Sequence, residues 1–207
     1  AEMPWLYHRY AGHDNNRDSY MQTQVETQIL NRITYKEWLP EVYLDVHQMS
    51  STRARIFVPP FKDPPNPNVD PLVWSEVGML GQAMAAKLNE AGKPGVMWGE
   101  QYTGFWQGAT NTNPWWHNMV ALLTETASSR LATTVLQETA RPGMRAATRD
   151  LPEVDVTHLP APGVLPAPAD TQYRMTYPRP WLGGAWSPRD VVEYETLSTY
   201  GLLEAVA

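Results

Sequence analysis

Five histidines, no cysteine and a few well-placed carboxylates bound the chemistry open to this 207-residue chain. None of His8, His13, His47, His117 and His158 has a carboxylate three positions on, so H-x-x-E and H-E-x-x-H are absent. Without cysteine there is no thiol nucleophile, no thiolate-bound zinc and no disulfide. No G-x-S-x-G surrounds a serine, and Ser50-Ser51 beside His47 makes no nucleophile elbow. Three groups remain. The string GHDNNRD (12–18) offers an arginine fork beside asparagine amides, a pattern suited to a carboxylate, although it also reads as a helix cap with a surface arginine. His47 is a possible metal ligand, but an imidazole at a strand end is more readily a hydrogen-bonded structural group. Glu125 closes an apolar run, MVALLT.

Those groups need elements to hold them. A helix is predicted from Asp18 to about Trp38, with Met21, Val25, Ile29 and Ile33 recurring as an apolar stripe on one face and Pro40 ending it. Residues 41–49 alternate, with Val42, Leu44 and Val46 opposite Tyr43, Asp45 and His47, as a short strand does. Another apolar stretch covers 55–58, and a Pro/Asn-rich loop covers 61–71. The next helix buries Val73, Val77, Leu80, Met84 and Leu88 and stops at Gly92 and Pro94. Val96 to Trp98 reads as a short strand, and 99–117 as a long loop of the kind that is usually functional. The run 119–124 suits a buried central strand. Residues 141–186 read as an irregular, Pro-rich wrap, and 187–207 as a final helix with Ser187 as cap, Pro188 at its first position and Asp190 in its first turn.

The alternation of helices and apolar strands predicts an α/β domain spanning 1–207, a central mixed, mostly parallel sheet flanked by helices. Sites in such sheets form beyond the carboxyl ends of strands, where His47 and Glu125 both fall. With 16 basic against 22 acidic residues the net charge is −6, and no basic cluster exists to hold nucleic acid. No apolar run approaches the roughly 20 residues of a membrane span. Nine Trp and ten Tyr supply either a large aromatic core or an aromatic-lined cleft. Trp106, Trp115 and Trp116, in one loop, admit carbohydrate binding as well as packing.

In order, GHDNNRD, DVHQ and LLTETAS resemble the zinc carboxypeptidases of the carboxypeptidase A superfamily, in particular long bacterial members with an NNRD string. The resemblance covers Pro4 to Arg130 and continues weakly into PRPWLGGAW and the last helix. It implies a carboxypeptidase-like fold and a peptide substrate with a free C-terminal carboxylate. Asn16 and Arg17 would grip that carboxylate, His47 would be the third zinc ligand and Glu125 the general base. Tyr102 would be the mobile tyrosine that closes over the substrate, and Arg9 a further guanidinium. A periplasmic or extracellular location is also implied. The family's first two zinc ligands come from an H-x-x-E upstream of the Asn-Arg segment, a motif this chain lacks. Together with a start that has neither initiator Met nor signal peptide, this predicts a piece of a longer enzyme, incomplete at its N-terminus, with the remaining ligands upstream. The alternative is a metal-free homologue that binds a carboxylate or peptide without cleaving it.

Overall fold

A computed structural model describes residues 11–129, 133–144 and 164–207. His8, Arg9 and His158 lie outside the described residues. Three α-helices, α1 (Val25–Arg32), α2 (Pro71–Glu90) and α3 (Pro188–Val206), accompany two mixed sheets among the described residues. The first sheet contains β1 (Val42–Met49), β2 (Ile56–Phe57), β3 (Val96–Met97) and β4 (Val120–Ala127) in the order β1-β4-β2-β3. Its β1–β4 and β2–β3 pairs are parallel and its β2–β4 pair antiparallel. The second sheet holds β5 (Val135–Gln137), β6 (Val164–Leu165) and β7 (Gly184–Trp186) in the order β6-β5-β7. The chain is thus mixed α/β, but with two sheets where one was expected. The described part of the Pro-rich wrap supplies two short strands, β6 and β7, to this sheet, and β5 precedes the wrap; Pro166 and Pro168 after β6, and Pro178 and Pro180 before β7, lack the N–H that a longer ladder requires.

The core forms where the apolar pattern predicts it. Val73, Val77, Leu80, Met84 and Leu88 of α2 are all buried against Leu122 and Val96 of the first sheet. Each such side chain contributes roughly 1.5–3 kcal/mol of burial. Asp70 caps α2 by accepting from the Leu72 N–H at 2.8 Å, and Pro71 opens the helix where its missing N–H costs nothing. Gly81 lets α2 press onto the chain at Pro59, since a Cβ there would meet the Pro59 carbonyl oxygen at 2.2 Å. Helix α3 carries the expected capping box between Ser187 and Asp190 and packs on both α2 and β4. Among the described residues no helix is long and apolar enough to cross a membrane.

The first helix departs from expectation in both length and face. It begins at Val25, not Asp18, and its last turn, Ile33–Trp38, widens into a π-helix before Pro40. Met21, Val25, Ile29 and Ile33 are exposed, Val25 by 64%, whereas Thr27, Asn31 and Thr34 are buried. The reason is that α1 docks through hydrogen bonds onto polar loops rather than onto the core. Thr27 donates to Asp18, Asn31 Nδ2 to the Ser19 carbonyl at 2.7 Å, and Tyr35 to Asn113 Oδ1 at 2.8 Å. Asp18, fully buried, also accepts from the Thr23 hydroxyl and from the Gln24 N–H at 2.9 Å. A carboxylate so engaged holds residues 18–24 in turns and delays the helix.

Candidate active site

Register brings the two strand-borne groups together. In the parallel β1–β4 pair His47 stands opposite Glu125, so both side chains leave the same face of the sheet, as does Asp45 two residues back. Glu125 lies within the last third of β4 rather than just past its end, because Thr126 and Glu125 still pair with Ile56 and Phe57 of β2.

Asp45 fixes the imidazole. His47 Nε2 is 3.0 Å from Asp45 Oδ2, and that hydrogen bond, against the opposing effect of burial, raises the imidazole pKa. A proton held on Nε2 leaves the lone pair of neutral His47 on Nδ1. Thr110 locks the pair from above. Its hydroxyl donates to Asp45 Oδ2 at 2.5 Å, and its backbone N–H donates to Asn16 Oδ1 at 2.8 Å. Asn16 Nδ2 in turn lies 3.3 Å from His47 Nε2. Thr110 thus holds the Asn16 amide oxygen, while the Asn16 NH₂ lies beside the Nε2 whose proton goes to Asp45.

Asn16 and Arg17 sit on a three-residue 3₁₀ turn, Asn15–Arg17, capped by Asp14, and not at the start of a long helix. The Arg17 guanidinium lies over the Trp106 ring, 5.7 Å from its centroid, and Nη1 donates to the Asn16 carbonyl at 2.8 Å. More than half of its side chain stays exposed. Its orientation thus comes from an aromatic face, a backbone carbonyl and a loose ion pair of Nη1 with Asp14 Oδ2 at 3.9 Å, leaving the rest of the fork to an incoming anion.

Arg17, Asn16, Tyr102 and Glu125 line one cleft of about 450 Å³, with Phe61, Trp106 and Leu123 as apolar walls. His47 is not in that lining and joins the cleft through Asn16. Burial raises the Glu125 carboxyl to about 7; His47 pulls it down, Asp45 pushes it up, a hydrogen bond with Tyr102 lowers it, and Glu195 behind the sheet adds to the rise. The Tyr102 ring packs on Phe57 at 4.9 Å, and burial raises its hydroxyl pKa. A carboxyl poised near neutrality can both take and return a proton at pH 7.

The expected residues are thus gathered as a cleft group (Asn16, Arg17, Tyr102, Glu125) and an adjoining His47–Asp45 pair. Sequence reasoning missed Thr110 and Glu195. Only the length of the loop 99–117 pointed toward the first. The second had a readable signal, a carboxylate on the inner stripe of α3 between Val191, Tyr194, Ser198 and Leu202.

This donor set matches zinc only in part. His47, with a lone pair left on Nδ1, fits one ligand position, but no group of three His, Cys, Asp or Glu able to hold a metal occurs among the described residues. A hydrolytic zinc site takes three protein ligands, so these residues do not form one by themselves. No family model matches the chain, and comparison with curated proteins and with solved structures likewise returns no match.

Proposed function

We propose that this chain carries the carboxylate-binding and general-base part of a zinc-dependent carboxypeptidase. The observation that supports it is one cleft holding a half-buried carboxyl, Glu125, whose pKa is raised to about 7, and a half-exposed guanidinium, Arg17. A peptide enters with its terminal carboxylate on the Arg17 fork and its last side chain among Phe61, Trp106 and Leu123. Ionised Glu125 takes a proton from water as the water oxygen adds to the scissile carbonyl carbon. The C–N bond then breaks, and Glu125 returns the proton to the leaving amine. Tyr102 lines the cleft with Glu125 and lies close enough to lower its pKa against the effect of burial. When bound, zinc supplies the positive charge that acidifies the water. Of these residues His47 would hold it, with the other ligands coming from outside this chain.

In the intact protein Glu125→Gln is expected to lower turnover by about 10²-fold or more while zinc content stays the same. Undiminished turnover removes Glu125 from the reaction. A second reading, a metal-free carboxylate-binding homologue, rests on the half-exposed Arg17 fork, which can hold a carboxylate without any metal. Equilibrium dialysis of the intact protein against zinc separates the two, since the second reading requires no stoichiometric uptake.

A further inference from the structure

Behind the cleft, on the helix-facing side of β4, the side chains change character. Val120 and Leu122 are apolar, but the next two on that face, Thr124 and Thr126, are threonines with no exposed surface. They flank Glu125 in sequence and point away from it. Both hydroxyls donate to one carboxylate on α3: Thr124 to Glu195 Oε2 at 2.9 Å, and Thr126 to Glu195 Oε1. Glu195 lies on the inner face of α3 beside buried Tyr194 and Ser198, and among the described residues no cation pairs with it.

That arrangement is an expensive way to join a helix to a sheet. A half-buried carboxylate met only by hydroxyls loses part of its hydration without a compensating charge. Leucine at 195 over valines at 124 and 126 would pack the same surfaces and suit a strand at least as well. What the apolar version lacks is direction, because van der Waals contact allows β4 to slide or roll against α3. Two hydrogen bonds to the two oxygens of one carboxylate do not.

We propose that Glu195 is a positioning residue, which holds Thr124 and Thr126 and so fixes the direction in which the Glu125 carboxyl enters the cleft. This rests on the reading of Glu125 as general base. Misplacing a reacting group by about 1 Å costs on the order of 10²-fold in rate. The groups around Glu125 are Asp45 and His47 from β1, Tyr102 from the long loop and Arg17 across the cleft; β1 and β2 hold the β4 backbone within the sheet, and the bonds to Glu195 fix that sheet against α3.

The test compares Glu195→Leu with Glu195→Gln in the intact protein. The amide oxygen of glutamine still accepts from one threonine and its NH₂ donates to the other, so positioning survives without the charge. Positioning predicts that Glu195→Leu lowers kcat by about 10²-fold with KM within about twofold, at an unchanged or higher Tm. Glu195→Gln should stay within a few-fold of wild type. The carboxyl carbon of Glu125, assigned in the ¹³C NMR spectrum by its loss in Glu125→Gln, should shift or broaden in the Leu variant and return in the Gln variant. A purely structural tie would instead lower Tm in both variants and leave that resonance in place. The proposal is overturned if the Leu variant keeps the wild-type resonance, or if the Gln variant is as impaired as the Leu variant. If wild-type protein cleaves no peptide, the reading of the cleft fails on its own, and the Glu125 resonance in the Leu variant decides this proposal separately.

Discussion

At the scale of single residues, Glu125 is held against its own ionisation. Its folded pKa, about 7, lies above the ordinary 4.5, so between those values the folded state binds more protons than the unfolded one. The stability associated with the protonated form is complete below pH 4.5 and is lost as pH rises toward 7. Glu125→Gln, neutral at every pH, removes that dependence. Its Tm should therefore exceed that of wild type at pH 8 and converge with it near pH 4, as calorimetry across the range would read. A wild-type Tm that is flat from pH 4 to 8 argues against the buried carboxyl. Arg17 makes a different contribution. Exposed and steadied by Trp106, it adds little to stability, since surface charges rarely contribute more than about 1 kcal/mol. Arg17→Ala should leave Tm nearly unchanged and raise KM about tenfold or more for peptides with a free C-terminal carboxylate. Equal losses on C-terminally amidated peptides would take Arg17 out of that role.

At the scale of elements, the legible parts were those whose pattern and energetics agree. The stripe of α2, the capping box of α3 and the strands carrying His47 and Glu125 follow from apolar periodicity and local capping, because burial against one core enforces both. The pairing of position 47 with position 125 was visible only as two strand ends, since register is a tertiary fact. The segment from Asp18 to Trp38 failed because the period of four was real but faced outward. Asp18 outcompeted it by gathering Thr23, Gln24 and Thr27, and a hydrogen-bonded turn leaves no trace in hydropathy. That turn also carries Asn16 and Arg17, so Asp18 bears on the cleft from a distance. Burial alone would raise its carboxyl, but the hydrogen bonds from Thr23, Thr27 and Gln24 outweigh it and bring the pKa from the ordinary 3.8 to about 2. The unfolded state then binds more protons between those values. The stabilisation is complete above about pH 4 and disappears as pH falls toward 2. Asp18→Ala should destabilise by about 2 kcal/mol at pH 7 and by much less at pH 2, in urea titrations at each pH. A loss that stays the same at both pH values would mean that the charge plays no part.

At the scale of the whole molecule, the question is what joins the sheet bearing the cleft to the sheet of β5, β6 and β7. Arg174 spans part of that distance, with Nε and Nη2 on Glu100 and a second pair of contacts to Asp170 at 2.9 Å. Trp186, from β7, donates to the Ala127 carbonyl at the end of β4 at 2.8 Å. Arg55 stands between these elements with 1% of its surface exposed, its guanidinium carbon 4.9 Å from the Trp181 ring centroid and 5.0 Å from that of Trp186. Nη2 donates to the Ser51 carbonyl and, at 3.2 Å, to that of Arg53. Burial lowers the guanidinium pKa to about 10, with Tyr177 and Tyr194 acting in the opposite sense, so it stays charged at neutral pH. Its stem is equally enclosed, since a Cβ on Gly95 would lie 2.6 Å from Arg55 Cγ. Removing this side chain leaves a void between two indoles and two carbonyls without their donor. Arg55→Ala should therefore cost on the order of 3–4 kcal/mol, and Arg55→Lys should recover little, because an ammonium has neither the planar face that meets the indoles nor the fork that reaches both carbonyls. β2 begins one residue later and pairs with β4 at Glu125, so the damage reaches the cleft as well as the join. Chemical denaturation followed by tryptophan fluorescence and by far-UV circular dichroism reads the consequence. If Arg55 couples the two sheets within one cooperative unit, both signals in Arg55→Ala shift together to lower denaturant and remain superimposable. Fluorescence that moves ahead of circular dichroism would mean that the sheets unfold independently and that the chain comprises two domains.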